Sequence, residues 1–523
     1  MVPMRTNMQN NWNRNYHKLT HPVYASLDQP LSALRKEGKI SQGVVGVSPQ
    51  HNNKMKKILS GLFVLSLIIS ACNVSKDVKT PKPELPVAFR NEVTTADTSS
   101  IADVEWKNFF ADATLQKLID DAIRNNYDLQ IALKNIESSR LLFNQIKFNY
   151  TPQVNLNVTA NTTRPSDNSL NGLSLGQFLG SKHIEDYNAN LGLSWEADIW
   201  GKIRNQSRAA LAQYLQTDEA RKAIQTNIVA SVSQGYYNLL MLDEQLQIAK
   251  RNVTLTDSTL RILNLQFNSG QVTSLAVQQA EAQRLAAAQL VPEFEQNITI
   301  QENALRVLAG ALPSAIERNT RLDQLPVAEN VPSGLPSAIV SRRPDVRSAE
   351  LELNVANANV GIAAANMYPS LTITAQGGVN SFRASNWFSL PASLFGTVAG
   401  SITQPIFNRK RLKTQYEVAK VEREKTVLQF RQSVLNAVGE VSDALVKIEK
   451  LKAQQAIAAN RVKTLQQATG NANLLFKNGM ANYLEVITAQ SNVLQSELEL
   501  ASIKRQQLSA LAELYRSLGG GWK

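Results

Sequence analysis

The chain has a single cysteine, Cys72, among 523 residues, which excludes an intramolecular disulfide framework and a cysteine-rich zinc site. It has four histidines, and His17, His21 and His51 lie in the first 51 residues. His183 alone remains for the body, so a Ser-His-Asp triad or a multi-histidine metal centre has almost nothing to build with. There is no glycine-rich phosphate loop. The longest apolar run, Ile58 to Ile69, is too short to span a bilayer, which takes roughly 20 residues. A mean hydropathy of -0.22 excludes a polytopic helical membrane protein. Aromatics are scarce at 6%, but a hydrophobic share of 43% argues against wholesale disorder.

The first 71 residues read as a precursor. Met55-Lys56-Lys57 gives a basic start, Ile58 to Ile69 is uncharged, and Ser70-Ala71-Cys72 follows, which is a signal-peptide layout over residues 55–71. Ile69-Ser70-Ala71-Cys72 resembles a bacterial lipobox, although Leu is commoner at the Ile69 position. The implied chemistry is a thioether diacylglycerol on Cys72, cleavage before it and acylation of the new amine. Several acyl chains give stable anchoring. Residues 1–54 carry no motif, and translation is expected to start at Met55. Residues 72–523 hold 46 basic and 41 acidic side chains, so the net charge of +12 belongs mostly to the precursor and is no argument for a nucleic-acid partner.

Beyond the precursor the chain is an internal repeat. Asn126-Tyr127-Asp128-Leu129 aligns with Arg343-Pro344-Asp345-Val346, and Pro152 with Pro369, both at an offset of 217. Ile199-Trp200-Gly201-Lys202 aligns with Ile406-Phe407-Asn408-Arg409 at 207. Phe267–Gly270 aligns with Phe476–Gly479 at 209, and Leu308–Gly310 with Leu518–Gly520 at 210. The change from 217 to 207 places a loop ten residues longer in the first copy.

Each copy predicts a helix, a strand, a loop, a strand, a very long helix, a break and a helix. After a lipidated segment at 72–112, the first copy covers 113–310, with strands near 152–161 and 187–199 and helices at 202–266 and 273–309. A linker follows at 311–334. The second copy covers 335–520, with strands near 369–379 and 394–406 and helices at 409–477 and 482–518. Proline is absent from 202 to 291 and after Pro405, and an interior proline costs about 3 kcal/mol. Val427, Val434, Val441 and Ile448 recur every seven residues beside Phe430, Ala437, Ala444 and Leu451, which is a supercoiling seam. A plain coiled-coil lipoprotein explains these helices equally well.

It does not explain the strands. Ala189, Leu191, Leu193, Trp195, Ala197 and Ile199 alternate with Asn190, Gly192, Ser194, Glu196 and Asp198. Val154, Leu156 and Val158 alternate with Asn155, Asn157 and Thr159, and Leu371, Ile373 and Ala375 with Thr372, Thr374 and Gln376. The run at 394–406 alternates less well. A soluble hairpin gives the same pattern, but the lipid anchor and the pairing in both copies favour transmembrane strands. Four strands cannot close a barrel with a lumen, and lipid does not tolerate open edges, so the chain must oligomerise: two copies supply eight strands, three supply twelve.

Glu196–Arg204 at the strand-to-helix junction, Arg343–Glu350, the paired Phe-x-x-Gly breaks and Tyr368-Pro369 together resemble the outer membrane factor family of TolC/OprM type, and its lipoprotein NodT-like branch in particular. The resemblance spans residues 72–523. It implies a mixed, mainly α fold. Three chains would contribute four transmembrane strands each to a twelve-stranded barrel, above a periplasmic α-barrel of long coiled helices. It implies a bacterial outer membrane location and a passive duct for small molecules. The partners are then a homotrimer, a periplasmic adaptor and an inner-membrane pump of the resistance-nodulation-division type. No cofactor and no catalytic residue are expected.

In this family the periplasmic tip narrows just after the second Phe-x-x-Gly, here Phe476 to Gly479. Glu485 matches the first of two acidic gate positions, and Thr488 takes the second, so the doubled carboxylate ring is reduced to one. A solvated helix residue is the plainer reading of Glu485. At the junction, Glu196, Asp198, Trp200 and Gly201 read as a strand end and helix start. Glu196 and Asp198 could pair as acid and base, but their place before a helix suits capping. A type I protein-secretion duct keeps the same fold. A bracing envelope lipoprotein is the alternative of another class, and an enzyme is the weakest reading.

Overall fold

A computed structural model describes residues 85–86, 88–90, 100–178, 180–326 and 332–523. Cys72, the signal peptide and residues 1–54 lie outside the described residues. A short helix α1 (Trp106–Phe109) precedes the first copy, which begins with α2 (Ala113–Asn125) and α3 (Tyr127–Lys147). Next come β1 (Gln153–Thr163), α4 (Leu170–Phe178), β2 (Ile184–Ala197), α5 (Lys202–Asn268) and α6 (Ser274–Leu308). The second holds α7 (Ile339–Arg342), α8 (Pro344–Ala365), β3 (Ser370–Ser381), β4 (Leu394–Thr403), α9 (Arg411–Lys477) and α10 (Tyr483–Ser517). At 67 residues, α5 and α9 each run about 100 Å. No described helix is long and apolar enough to cross a membrane.

The element boundaries correct the repeat alignment. α3 and α8 start 217 residues apart, but α5 and α9, and α6 and α10, start and end 209 apart. The strands agree. Gln153 pairs with Ser194 in the first hairpin and Ser370 with Thr403 in the second, which places Ser194 and Thr403 at the 209 offset. The offset of 207 taken from Trp200 and Phe407 is therefore two residues short, and the extra loop is eight residues rather than ten. Arg409 and Lys410 account for the slip. Both sit at positive φ (55° and 63°), so α9 starts at Arg411 instead of 409. The offset of 210 at the C-terminal glycines also becomes 209. Gly310 and Gly519 share the left-handed conformation (φ 67° and 90°), and each abuts the main chain of the other end of its repeat, at Asn125 and at Arg342. A Cβ at either position would overlap that backbone.

The four strands form one antiparallel sheet in the order β1-β2-β3-β4. β1 and β3 begin one residue after Pro152 and Pro369, which carry no amide hydrogen, and β4 stops short of Pro405 rather than reaching 406. β2 ends at Ala197 rather than 199, because Asp198 turns away to cap α5. Leu156 of β1, Leu191 of β2, Gly377 of β3 and Gly396 of β4 are in line across the sheet, and the face they share is mostly apolar, with Thr162, Glu185 and Ser381 at one end. On the other face Asn157 Nδ2 donates to Asn190 Oδ1 at 3.2 Å. Each hairpin belongs to one copy, and the β2–β3 seam joins the copies.

Most of the core lies among the helices. Phe430, Val434, Ala437, Val441 and Ala444 of the heptad seam are buried with Val346 and Leu514. Tyr236, Leu239 and Leu240 of α5 are buried with Leu115 and Ile119 of α2 and with Tyr515. The copies close alike at their ends. Asn126 Nδ2 donates to the Leu308 carbonyl at 2.9 Å, and its repeat mate Arg343 donates from Nη1 to the Ser517 carbonyl at 3.0 Å. Both satisfy a carbonyl at a helix C-terminus that would otherwise lack a partner.

Candidate functional site

Two places carry the residues singled out above, the tip where the long helices turn and the junction where strands become helices. At the tip, α5 and α9 end in the same motif. Gly270 (φ 78°) and Gly479 (φ 71°) take the left-handed position. Gly479 N donates to the Phe476 carbonyl at 3.1 Å and Met480 N to the Leu475 carbonyl at 2.9 Å, a Schellman closure. The first copy matches it with Gly270 N on Phe267 O (2.9 Å) and Gln271 N on Gln266 O (2.8 Å). The phenylalanines differ: Phe476 is buried with Leu263, Ala276, Ala280 and Val486, whereas Phe267 is exposed. That cluster draws on α5, α6, α9 and α10, so the two turns form one packed unit.

α10 starts at this unit. Asn482 caps it, accepting the Glu485 amide at 3.1 Å. Glu485 and Thr488 are both exposed, and Glu485 has no ion-pair partner among the described residues. One turn of helix separates them, so they lie on one exposed face. Two polar links tie α10 to the first copy beside them. Tyr483 Oη donates to Gln279 Oε1 at 2.7 Å, and the buried Gln490 Nε2 donates to Thr259 Oγ1 at 2.9 Å. These links escape a sequence reading, because their partners lie 204 and 231 residues apart.

At the junction each residue has a structural task. Asp198 accepts the Ile203 amide at Oδ1 (2.8 Å) and the Arg204 amide at Oδ2 (2.9 Å), which satisfies two free N–H groups at the start of α5. Lys202 Nζ donates to both oxygens of Glu196 at 3.0 Å. The carboxylates thus serve separate partners and do not form an acid–base couple. Trp200 stacks on Tyr368, with ring centroids 4.9 Å apart, and its Nε1 donates to the Pro369 carbonyl at 2.6 Å. Gly201 holds φ at 74°, and a Cβ there would meet the Arg204 guanidinium at 2.6 Å. Trp200 thereby fastens the first copy's helix start to the second copy's strand start.

Arg343, the repeat mate of Asn126, is a buried hub. Its guanidinium meets Asp345 (2.6 and 3.0 Å), Glu440 of α9 (2.9 Å) and the Ser517 carbonyl. Arg516 reaches the same Glu440 oxygen at 2.9 Å and pairs with Glu513 at 2.6 Å. Burial pushes the Asp345 carboxyl up, but Arg343 and the Val346 amide outweigh it and hold it below the usual carboxylate range. Glu513 is held down likewise, by Arg516 and Gln234 against its burial. A half-buried arginine, Arg318, bridges Asp243 and Glu302 and ties the linker after α6 to α5 and α6. Among the described residues no group of three or more His, Cys, Asp or Glu side chains could hold a metal ion.

Two long-helix repeats joined through one four-stranded sheet are the arrangement of a known family. The family model for the outer membrane efflux protein matches residues 118–311 and 335–520, one span per copy. The chain belongs to the outer membrane efflux protein family. It is therefore an outer membrane protein of a channel family, not an enzyme. It is 28% identical over 470 residues to the probable outer membrane lipoprotein SilC of Salmonella typhimurium, covering 89% of this chain and 98% of SilC. It is 30% identical over 479 residues to the toluene efflux pump outer membrane protein TtgC of Pseudomonas putida, covering 90% and 96%. The crystal structure of the open-state Neisseria gonorrhoeae MtrE outer membrane channel matches with a TM-score of 0.77 at 28% identity, over 86% of this chain and 99% of that one.

Proposed function

We propose that three copies of this outer membrane efflux protein close a twelve-stranded barrel, and that the trimer is the passive exit duct of a tripartite pump. The observation that carries this reading is the sheet. Among the described residues each of its edge strands, β1 and β4, pairs on one side only, and its apolar face is open to the surroundings, with Leu156, Leu191, Val398 and Ile402 all exposed. A sheet of that kind is stable in lipid only when its edges are closed, because each unpaired backbone group there costs several kcal/mol. The long amphipathic helices follow the strands directly and would carry the lumen into the periplasm. Cys72, in this reading, bears the lipid anchor.

The partners are then a periplasmic adaptor and an inner-membrane pump of the resistance-nodulation-division type, which supplies the energy. The relatives support small molecules as cargo, since TtgC is named for toluene efflux. A protein-secretion duct of the same fold would instead need an ATP-driven exporter as partner. Around the threefold axis, three copies of Glu485 would converge at the tip and form a single carboxylate ring, which attracts cations. Thr488 in each copy would add a hydroxyl ring one turn away. Glu485→Ala is expected to raise the conductance of the purified channel in planar bilayers and to weaken its cation preference. Unchanged conductance and selectivity would remove Glu485 from the gate.

A further inference from the structure

The chain's own seam between copies specifies how one chain meets the next. β2 and β4 are equivalent at an offset of 209, and β3 and β1 at 217. Applying these offsets to the β2–β3 seam carries it onto the two free edges. Leu193 opposite Ala375 becomes Ile402 opposite Val158, and Gly192 opposite Gln376 becomes Ser401 opposite Thr159. Leu191 opposite Gly377 becomes Gly400 opposite Ala160.

We propose that β4 of one copy pairs antiparallel with β1 of the next in this register, with Ile402 facing Val158 and Ser401 facing Thr159. The proposal rests on the channel reading and adds a residue-level interface to it. Three observations favour a second copy of this chain as the occupant. First, the transferred register keeps the faces. Ile402, Val158, Gly400 and Ala160 all belong to the apolar face defined inside the chain, and a slip by one residue would have put them on the polar one. Second, the apolar residues it pairs are left bare, with Ile402 75% and Val158 59% exposed. Third, the helices below repeat the pattern. α5 packs against both α3 of its own copy and α8 of the other. α9 packs extensively against α8 of its own copy, and no comparable packing of α3 on it is seen among the described residues. Val421, Leu428 and Leu435 on α9 and Ile131, Leu141 and Leu142 on α3 stay exposed. In the proposed interface α9 of one copy lies on α3 of the next, as α5 lies on α8, continuing the same seam down the tunnel wall.

Slips of two residues preserve the faces and are the real competitors. Cysteine pairs separate them, because a disulfide needs Cβ atoms within about 4.5 Å. Ser401→Cys is combined with Asn157→Cys, Thr159→Cys or Asn161→Cys in the full chain and oxidised with copper phenanthroline in outer membranes. The parent, whose one cysteine is Cys72, is the control. Covalent dimers and trimers on denaturing gels are expected to be strongest, several-fold, for the Thr159 pair. A second pair, Ala399→Cys with Asn161→Cys, reads the same register should the first fail to assemble. Strongest cross-linking to Asn157 or Asn161 from Ser401 overturns the register. Absent cross-links in a protein that is trimeric by native mass overturn the interface and leave the channel reading standing. A monomer by native mass sinks both.

Discussion

Leu191→Arg is expected to keep the protein out of the outer membrane, whereas Asn190→Arg, one residue away, is expected to leave it there. Leu191 lies mid-strand on the apolar face of β2, between Leu156 and Gly377, and is 57% exposed. If that face meets lipid, an arginine near the bilayer midplane costs about 2–4 kcal/mol per copy, or roughly 6–12 kcal/mol for a trimer. Asn190 points to the other face, where Asn157 and Asn188 share hydrogen bonds with it. A charge there would stand in the lumen and stay hydrated. Fractionation followed by native gels reads both variants. Equal yields of the two in the outer membrane would mean that the apolar face does not meet lipid.

The second large effect is expected at Arg343. Its side chain is only 4% exposed and serves two carboxylates and a helix-terminal carbonyl. Arg343→Ala leaves the Ser517 carbonyl buried without its donor and removes the cation between Asp345 and Glu440. Glu440 keeps Arg516, so the expected loss is about 2–3 kcal/mol per copy rather than the full cost of an isolated buried charge. Arg343→Lys should recover little, because an ammonium cannot bridge three acceptors in one plane. Thermal unfolding in detergent measures both. The same hub gives an acid response. Asp345 and Glu513 have depressed pKa values, so the stability they add is complete above about pH 4.5, the unfolded carboxylate range, and is lost as pH falls through their lower folded values. In Arg343→Ala the part due to Asp345 should disappear, which flattens the acid limb. An unchanged acid limb would mean that Arg343 does not hold the Asp345 carboxylate.

Much of this was legible in the residues, and the gaps have physical causes. Proline and glycine punctuate both copies, so the ends of the long helices and the turns at Gly270 and Gly479 could be read closely. The strand offset was misread by two because strand side chains repeat every two residues. A slip of two leaves every face unchanged, and only pairing partners reveal it. Trp200 and Phe407 look equivalent in sequence, but the left-handed residues Arg409 and Lys410 shift the start of α9. Asp198 beside a helix start suggested capping, and the structure gives it two amides. Nothing in the local sequence marks Arg343 as buried. Its partners Glu440 and Ser517 lie 97 and 174 residues away, beyond any local pattern.

The channel reading stands or falls on closure of the sheet. The decisive measurement is the native mass, in mild detergent, of the protein extracted from purified outer membranes. A trimer is expected, with three copies of β4 and β1 supplying each other's missing neighbours. A monomer, or a protein that washes from the membrane once Cys72 is changed to Ser, would contradict it and favour a bracing lipoprotein.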